Sequence, residues 1–184
     1  MKKTLNLLLI ASVLLIASSC EKDNEVKKKI NTLGAQSNTT FGGYYSVTDN
    51  IVFTQANAFA NQAAVDILCF FEEASGNNIA IASPGSGITG IFTGDTAPEN
   101  WTIQNTTYFF NTTLTAEQFD ALAETDQLIV SSFVEVDSRR KAKDMQPGLV
   151  VSFKTVDGTY GLLKVIEVVQ GATGSVKFEV KIKK

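Results

Sequence analysis

The fold is decided by the last third of the chain, where Leu149-Val150-Val151-Ser152-Phe153-Lys154-Thr155 and Tyr160-Gly161-Leu162-Leu163-Lys164-Val165-Ile166-Glu167-Val168-Val169 flank Val156-Asp157-Gly158-Thr159. Beyond the turn Gly171-Ala172-Thr173-Gly174, Val176, Phe178, Val180 and Ile182 alternate with Lys177, Glu179, Lys181 and Lys183. A strict period of two sends alternate side chains to opposite faces, so this stretch predicts a strand with one buried and one wet face. Asp-Gly between two β-rich runs predicts a tight type I′ hairpin with positive φ at both central residues. Together these runs make a three-stranded antiparallel meander.

Working upstream, short β-rich runs predict strands over 43–47, 64–71, 78–82, 108–110 and 128–136. One helix is well signalled: Thr115 is a favourable N-cap and Gln118 stands three residues on, a capping box. Phe119, Leu122 and Ala123 share a face, and the helix should end near Thr125. Ala56, Phe59, Ala60 and Ala63 predict a second, shorter helical segment over 55–62. Short helices against a mainly antiparallel sheet give an α+β, β-sandwich-like architecture with one or two short helices, over a single domain at 39–184.

The N-terminus carries a different message. Residues 1–19, MKKTLNLLLIASVLLIASS, have Lys2 and Lys3 ahead of an apolar run too short to span a bilayer, followed by small residues, and predict a signal peptide that is removed. Ala17-Ser18-Ser19-Cys20 resembles a bacterial lipobox, with Ala17 where Leu is usual. That resemblance implies lipidation of Cys20 as a membrane anchor. Glu21-Lys22-Asp23-Asn24-Glu25 resembles the acidic export signal of Bacteroidota surface lipoproteins. It implies an outer-membrane protein, displayed at the cell surface or otherwise facing the periplasm. Residues 20–38 are expected to be a lipidated flexible tether.

Composition narrows the chemistry. The 184 residues are 44% hydrophobic and 19% charged, an ordinary globular balance, but contain no His. His is the usual general base near neutral pH and the commonest metal ligand, so Ser-His-Asp and Cys-His catalysis and most zinc sites are removed. Loss of Lys2 and Lys3 takes the 16 basic residues to 14 against 19 acidic, and the formal charge from −3 to −5. No basic stripe is available for phosphates, and Arg139-Arg140-Lys141-Ala142-Lys143 reads as an exposed loop between Asp137 and Asp144, so no nucleic-acid partner is expected. Cys69 lies in a run apolar on both faces and reads as a core thiol.

Several segments, among them Val65-Asp66-Ile67-Leu68-Cys69-Phe70-Phe71, Ala82-Ser83-Pro84, Trp101 with Asn105-Thr106-Thr107, Phe119-Asp120 and the run from Phe153 to Val165, resemble uncharacterised Bacteroidota lipoproteins. The resemblance implies a compartment and a fold and carries over no catalytic or binding residue.

Four groups of residues are candidates for function. Tyr44, Tyr45, Trp101 and Tyr108 offer planar faces with polar tips and, with Asn105 nearby, could stack and hydrogen-bond a sugar, although adjacent Tyr44 and Tyr45 on a strand must face opposite ways. Asp66 is a lone acid in an apolar strand and needs a partner or a ligand. Asp95-Thr96-Ala97 resembles a Bacteroidota O-glycosylation acceptor, which implicates Thr96. Glu135 with Asp137, and Glu72 with Glu73, are the acid pairs a glycoside hydrolase would need, but such spacing on a strand is ordinarily a solvated face. No P-loop or calcium-loop pattern is present, and no metal or cofactor is expected. The leading expectation is a non-catalytic, lipid-anchored binding module for a glycan or envelope protein. The alternative is a structural or assembly role in an envelope complex, and a carboxylate-based glycoside hydrolase stands third.

Overall fold

The computed structural model describes residues 28–73 and 78–184. Two five-stranded, wholly antiparallel sheets face each other. The first contains β1 (Lys29–Gly34), β6 (Tyr108–Asn111), β8 (Val150–Lys154), β9 (Tyr160–Val169) and β10 (Ser175–Ile182), in the order β1-β10-β9-β8-β6. The second contains β2 (Tyr44–Ser46), β3 (Ile51–Phe53), β4 (Ile67–Glu72), β5 (Asn78–Ala82) and β7 (Lys141–Ala142), in the order β3-β2-β4-β5-β7. Among the described residues there are also three short α-helices: α1 (Gln55–Ala60), α2 (Ala116–Ala121) and α3 (Leu128–Ser131). The α+β, sandwich-like class expected from the alternation is the one observed.

The core lies between the sheets. Tyr45, Ile67, Cys69, Ile79 and Ile81 of the second sheet meet Leu33, Phe109, Val151, Phe153, Leu163, Val165, Val176, Phe178 and Val180 of the first. The outer faces are covered too. Tyr44, Leu68, Phe70, Ala80 and Ala82 are buried under α1 and a long connection carrying Ile88, Phe92, Ala97 and Trp101. Val150 and Leu162 are buried under Phe119 of α2 and Ile129 of α3. Each sheet therefore needs apolar residues on both faces, which is why the run through Cys69 does not alternate.

The meander forms as expected, with one local difference. Neither Val156 nor Asp157 has positive φ; Gly158 alone does, at 86°. Gly158 N donates to Thr155 O (3.0 Å) and Thr155 N to Thr159 O (3.0 Å), a three-residue loop with glycine in the left-handed position in place of the two-residue type I′ turn. Asp157 instead accepts from the Thr155 hydroxyl and Thr159 N, a local arrangement that competes with the left-handed conformation. Gly161 is required for a different reason: a Cβ there would stand 2.2 Å from Phe153 Cζ.

Three further expectations are corrected. Residues 128–136 were expected as a strand, but form α3 and a 3-10 turn at Glu135–Asp137. Tertiary packing overrides the β-propensity of Ile129 and Val130, because one helical turn seats Ile129 on the outer face of the first sheet, and Ser132 Oγ bonds back to Leu128 O. The capping box is present, but α2 stops at Ala121, short of Thr125. Lys181 Nζ takes the carbonyls of Phe119, Asp120 and Leu122 at 2.7, 3.1 and 2.5 Å and ends the helix there. The tether cannot extend to residue 38, since β1 pairs along β10 from Lys29↔Val180 to Gly34↔Ser175 and places Leu33 in the core. Asn38 ties down the connection that follows, accepting from Thr40 and Phe41 N and donating to Thr173 and Gly174 O. The signal segment and Cys20 lie outside the described residues.

Candidate functional site

The residues 139–143, expected as an exposed loop, are a bend and a strand that join the two sheets. Arg139 pairs with Phe109 of β6, with N–H···O distances of 2.8 and 2.7 Å. The chain then bends at Arg140, and Lys141 and Ala142 pair with Ala82 and Ile81 of β5. Arg139 thus pairs with the edge of one sheet, and β7 runs along the edge of the other. Where these edges diverge they leave a cleft of about 560 Å³, open to solvent.

Phe110, Asn111, Asp137 and Arg139 lie on the β6 side of this cleft, Lys141 and Lys143 on the β7 side, and Arg140 at the bend between them. Arg140 Nη1 donates to Gly85 O (2.6 Å), Lys141 Nζ stands 5.6 Å from the centre of the Phe70 ring, and Lys143 pairs with Glu72 (2.7 Å). Arg139 and Arg140 are exposed. Ser86, at the end of the 3-10 turn Pro84–Ser86, also lines the cleft, and its buried hydroxyl has no hydrogen-bond partner among the described residues. A buried polar group ordinarily has a partner, so this hydroxyl marks a place where a donor and acceptor remain for use.

The residues singled out from sequence meet different fates. The aromatic platform is not formed. Tyr44 and Trp101, with ring centroids 5.5 Å apart, lie in the covered outer core, and Tyr45 packs edge-on against Phe178 between the sheets. Burial raises the hydroxyl pKa of both tyrosines. Trp101 Nε1 donates to Thr96 O (2.8 Å), so its polar edge is used internally. Tyr108 alone is exposed, at 41%. The reason is the doubly covered second sheet: opposite-facing neighbours on a strand both enter a core when both faces are covered. Asn105 also has an internal task, holding Ala63 O and Val65 O at 2.8 and 3.1 Å. Thr96 is half-buried, its hydroxyl accepting from Gln55 (3.0 Å).

Asp66 is buried, 8% exposed, and accepts a hydrogen bond from Val47 N (2.9 Å). Its carboxyl is pushed up to about 6 by burial, with Asp157 and Asp49 adding repulsion and the Val47 hydrogen bond opposing the rise. The three acids share a cavity of about 240 Å³ with Ser46, Thr48 and Asn105. Among the described residues no group of three or more His, Cys, Asp or Glu is placed to hold a metal ion. The acid pairs are engaged by cations: Glu135 with Lys154 (3.1 Å) and Glu72 with Lys143. Cys69 is fully buried, and burial pushes its thiol up, as suits a core residue. No described helix is long and apolar enough to cross a membrane.

Sequence reasoning noticed the 139–143 run and misplaced it. Its charge density was the available signal; that it lies where two sheet edges meet is a property of topology alone.

No protein-family model and no curated protein matches this chain. Among solved structures it is similar to a DUF4466 family protein from Parabacteroides merdae ATCC 43184, with a TM-score of 0.57 and 17% identity. The match covers 84% of this chain and 54% of the other, so the chain spans about half the length of that protein. At this identity the likeness is one of fold: the two-sheet architecture is shared with part of a Bacteroidota protein whose family is one of unknown function.

Proposed function

We propose that this chain is a non-catalytic binding module, held on the outer membrane by lipid on Cys20 and displayed towards the cell surface, and that the cleft beside β7 receives an envelope partner protein. The observation that supports this reading best is the cleft itself, where Arg139, Arg140 and Lys141 surround open space in a chain whose formal charge is −3. A concave site with convergent polar groups is the ordinary form of a binding site. The partner is a protein in preference to a glycan because Tyr44, Tyr45 and Trp101, the rings a sugar would have stacked on, are inside the domain.

The anchor and the cleft are tested separately. Cys20→Ala should shift the protein from the membrane to the soluble fraction, and a membrane-bound Cys20→Ala product would overturn the anchor. Protease added to intact cells should digest the anchored domain; full protection would place it on the periplasmic side. A photo-crosslinking residue at Arg139 should capture a defined envelope protein that the same probe placed at exposed Val169, in β9 and away from the cleft, does not.

A further inference from the structure

The walls of the cleft carry more than charge, because each is a strand edge with unused main-chain groups. Thr112 N donates to Val150 O (3.0 Å), so in the β6–β8 register Phe110 and Thr112 bond to β8 while Phe109 and Asn111 turn away from it. Phe109 spends its outward N–H and C=O on Arg139. Asn111, two residues on and exposed, has no main-chain partner on that side among the described residues. On the opposite wall Ser83 N donates to Arg140 O (3.0 Å), so Arg140 and Ala142 bond towards β5 and Lys141 turns its N–H and C=O towards the cleft. Lys141 likewise has no main-chain partner there among the described residues. The two sheets are stitched at the Phe109–Arg139 pair and open beyond it.

Resting on the binding reading above, we propose that this seam takes an extended acidic peptide segment of the partner protein, which adds as a short strand at the open edges of Asn111 and Lys141 and sets its carboxylates against Arg139, Arg140 and Lys141. An extended chain supplies main-chain donors and acceptors to such an edge, and alternate side chains supply the specificity. The complementary charge is carboxylate, since Arg139, Arg140 and Lys141 line the cleft, and an Arg fork pairs with a carboxylate in two parallel hydrogen bonds. Asp137, in the same lining, repels carboxylates and directs the acids of the peptide away from itself, towards Arg140 and Lys141. The buried Ser86 hydroxyl lies in the same lining and offers a neutral hydrogen bond. A nucleic acid would instead need a longer run of cations, one per phosphate, and here Lys143 is already paired with Glu72.

The test uses the full chain purified in detergent and the peptide Val-Asp-Val-Glu-Val-Asp-amide, labelled at its N-terminus with rhodamine for fluorescence anisotropy and acetylated there for amide chemical shifts. Binding should shift the Asn111 and Lys141 amides and weaken with added salt. The Asn/Gln version of the peptide, and a version N-methylated at alternate residues, should each bind about tenfold or more weakly. The double variant Arg139→Gln/Lys141→Gln should lower affinity for the acidic peptide by about tenfold or more, with an unchanged thermal midpoint showing that it is folded. Ser86→Ala supplies a second folded variant, expected to bind more weakly without a lower midpoint. No binding of the acidic peptide, equal binding of its N-methylated form, or tighter binding of an oligogalacturonate would overturn strand addition. Defined capture at position 139 together with any of those results would leave the binding reading standing and remove this inference alone.

Discussion

Beneath α2, Lys164 lies between Asp120 and Glu179, with Lys28 on the same carboxylates and the Phe119 ring 5.0 Å from Lys164 Nζ and 4.9 Å from Lys181 Nζ. At β7, Arg139 and Arg140 stand exposed around an open cleft. The covered cations lie on the face of the first sheet and the open ones where its edge meets that of the second, and Glu179 in the covered group is only 3% exposed. The difference is a covering element. Where α2 covers a strand face that the alternation marks as wet, Lys164 and Glu179 must satisfy each other, because an unpaired buried charge costs several kcal/mol. Where the sheet edges diverge with nothing over them, no such demand exists, and the charges remain available to a partner. Cations of the first kind hold the fold; cations of the second kind are the candidates for recognition.

The comparison is broken most severely by Glu179→Ala. Removing one member of a buried pair leaves the other charge without compensation, and Asp120 only partly replaces Glu179 because its side chain is 47% exposed. Chemical denaturation should show a loss of about 3 kcal/mol. A loss below about 0.5 kcal/mol would mean that the cluster under α2 is no better satisfied than the cleft.

Asp66 sharpens the comparison from the other side, as a buried carboxyl that accepts a hydrogen bond from Val47 N and stands near the like charges of Asp49 and Asp157. Its folded-state pKa of about 6 is above the ordinary 3.8, so the folded state binds the proton more tightly than the unfolded chain. Stability from this group is therefore fully present below about pH 4 and is lost as pH rises through about 6. Asp66→Asn keeps an acceptor for Val47 N and removes the charge. Denaturation at a series of pH values should show a gain of about 2 kcal/mol at pH 7 and a flattened slope between pH 4 and 6. An unchanged slope would show that the carboxylate ionises in the fold as easily as in the open chain.

The same distinction between covered and open surfaces explains what could be read from the sequence. The alternation from Val176 to Ile182 placed β10 and its buried face correctly, and Thr115 with Gln118 announced α2, because both signals are local. What α2 would cover was not local. Glu179 therefore reads as a wet residue, Tyr44 and Tyr45 as candidate stacking rings that face opposite ways, and Ile129 as part of a strand. In each case the missing fact was a second layer packed on the outer face of a sheet. The cleft was hidden for the complementary reason: the Arg139–Lys143 run was visible as charge, but its position between the free edges of β6 and β5 follows from strand order, on which period and propensity are silent.

The smallest expected effect on stability falls at the cleft, where the proposed binding surface requires that the cations not be holding the fold. Arg139→Gln removes an exposed charge whose main-chain pairing with Phe109 does not depend on the side chain. Among the described residues its guanidinium donates only to the neighbouring Ser138 carbonyl (2.8 Å), a local contact of low value. Denaturation should therefore shift by no more than about 0.5 kcal/mol, as for an ordinary surface substitution. Arg140→Gln is the informative neighbour, because Arg140 also fastens the Gly85 carbonyl (2.6 Å) and so belongs partly to each class. It should lower stability by about 1 kcal/mol, more than Arg139→Gln and less than Glu179→Ala. If Arg139→Gln proved as damaging as Glu179→Ala, the cations at β7 would be holding the two sheets together, and the cleft would be a by-product of that joint with no claim as a binding site.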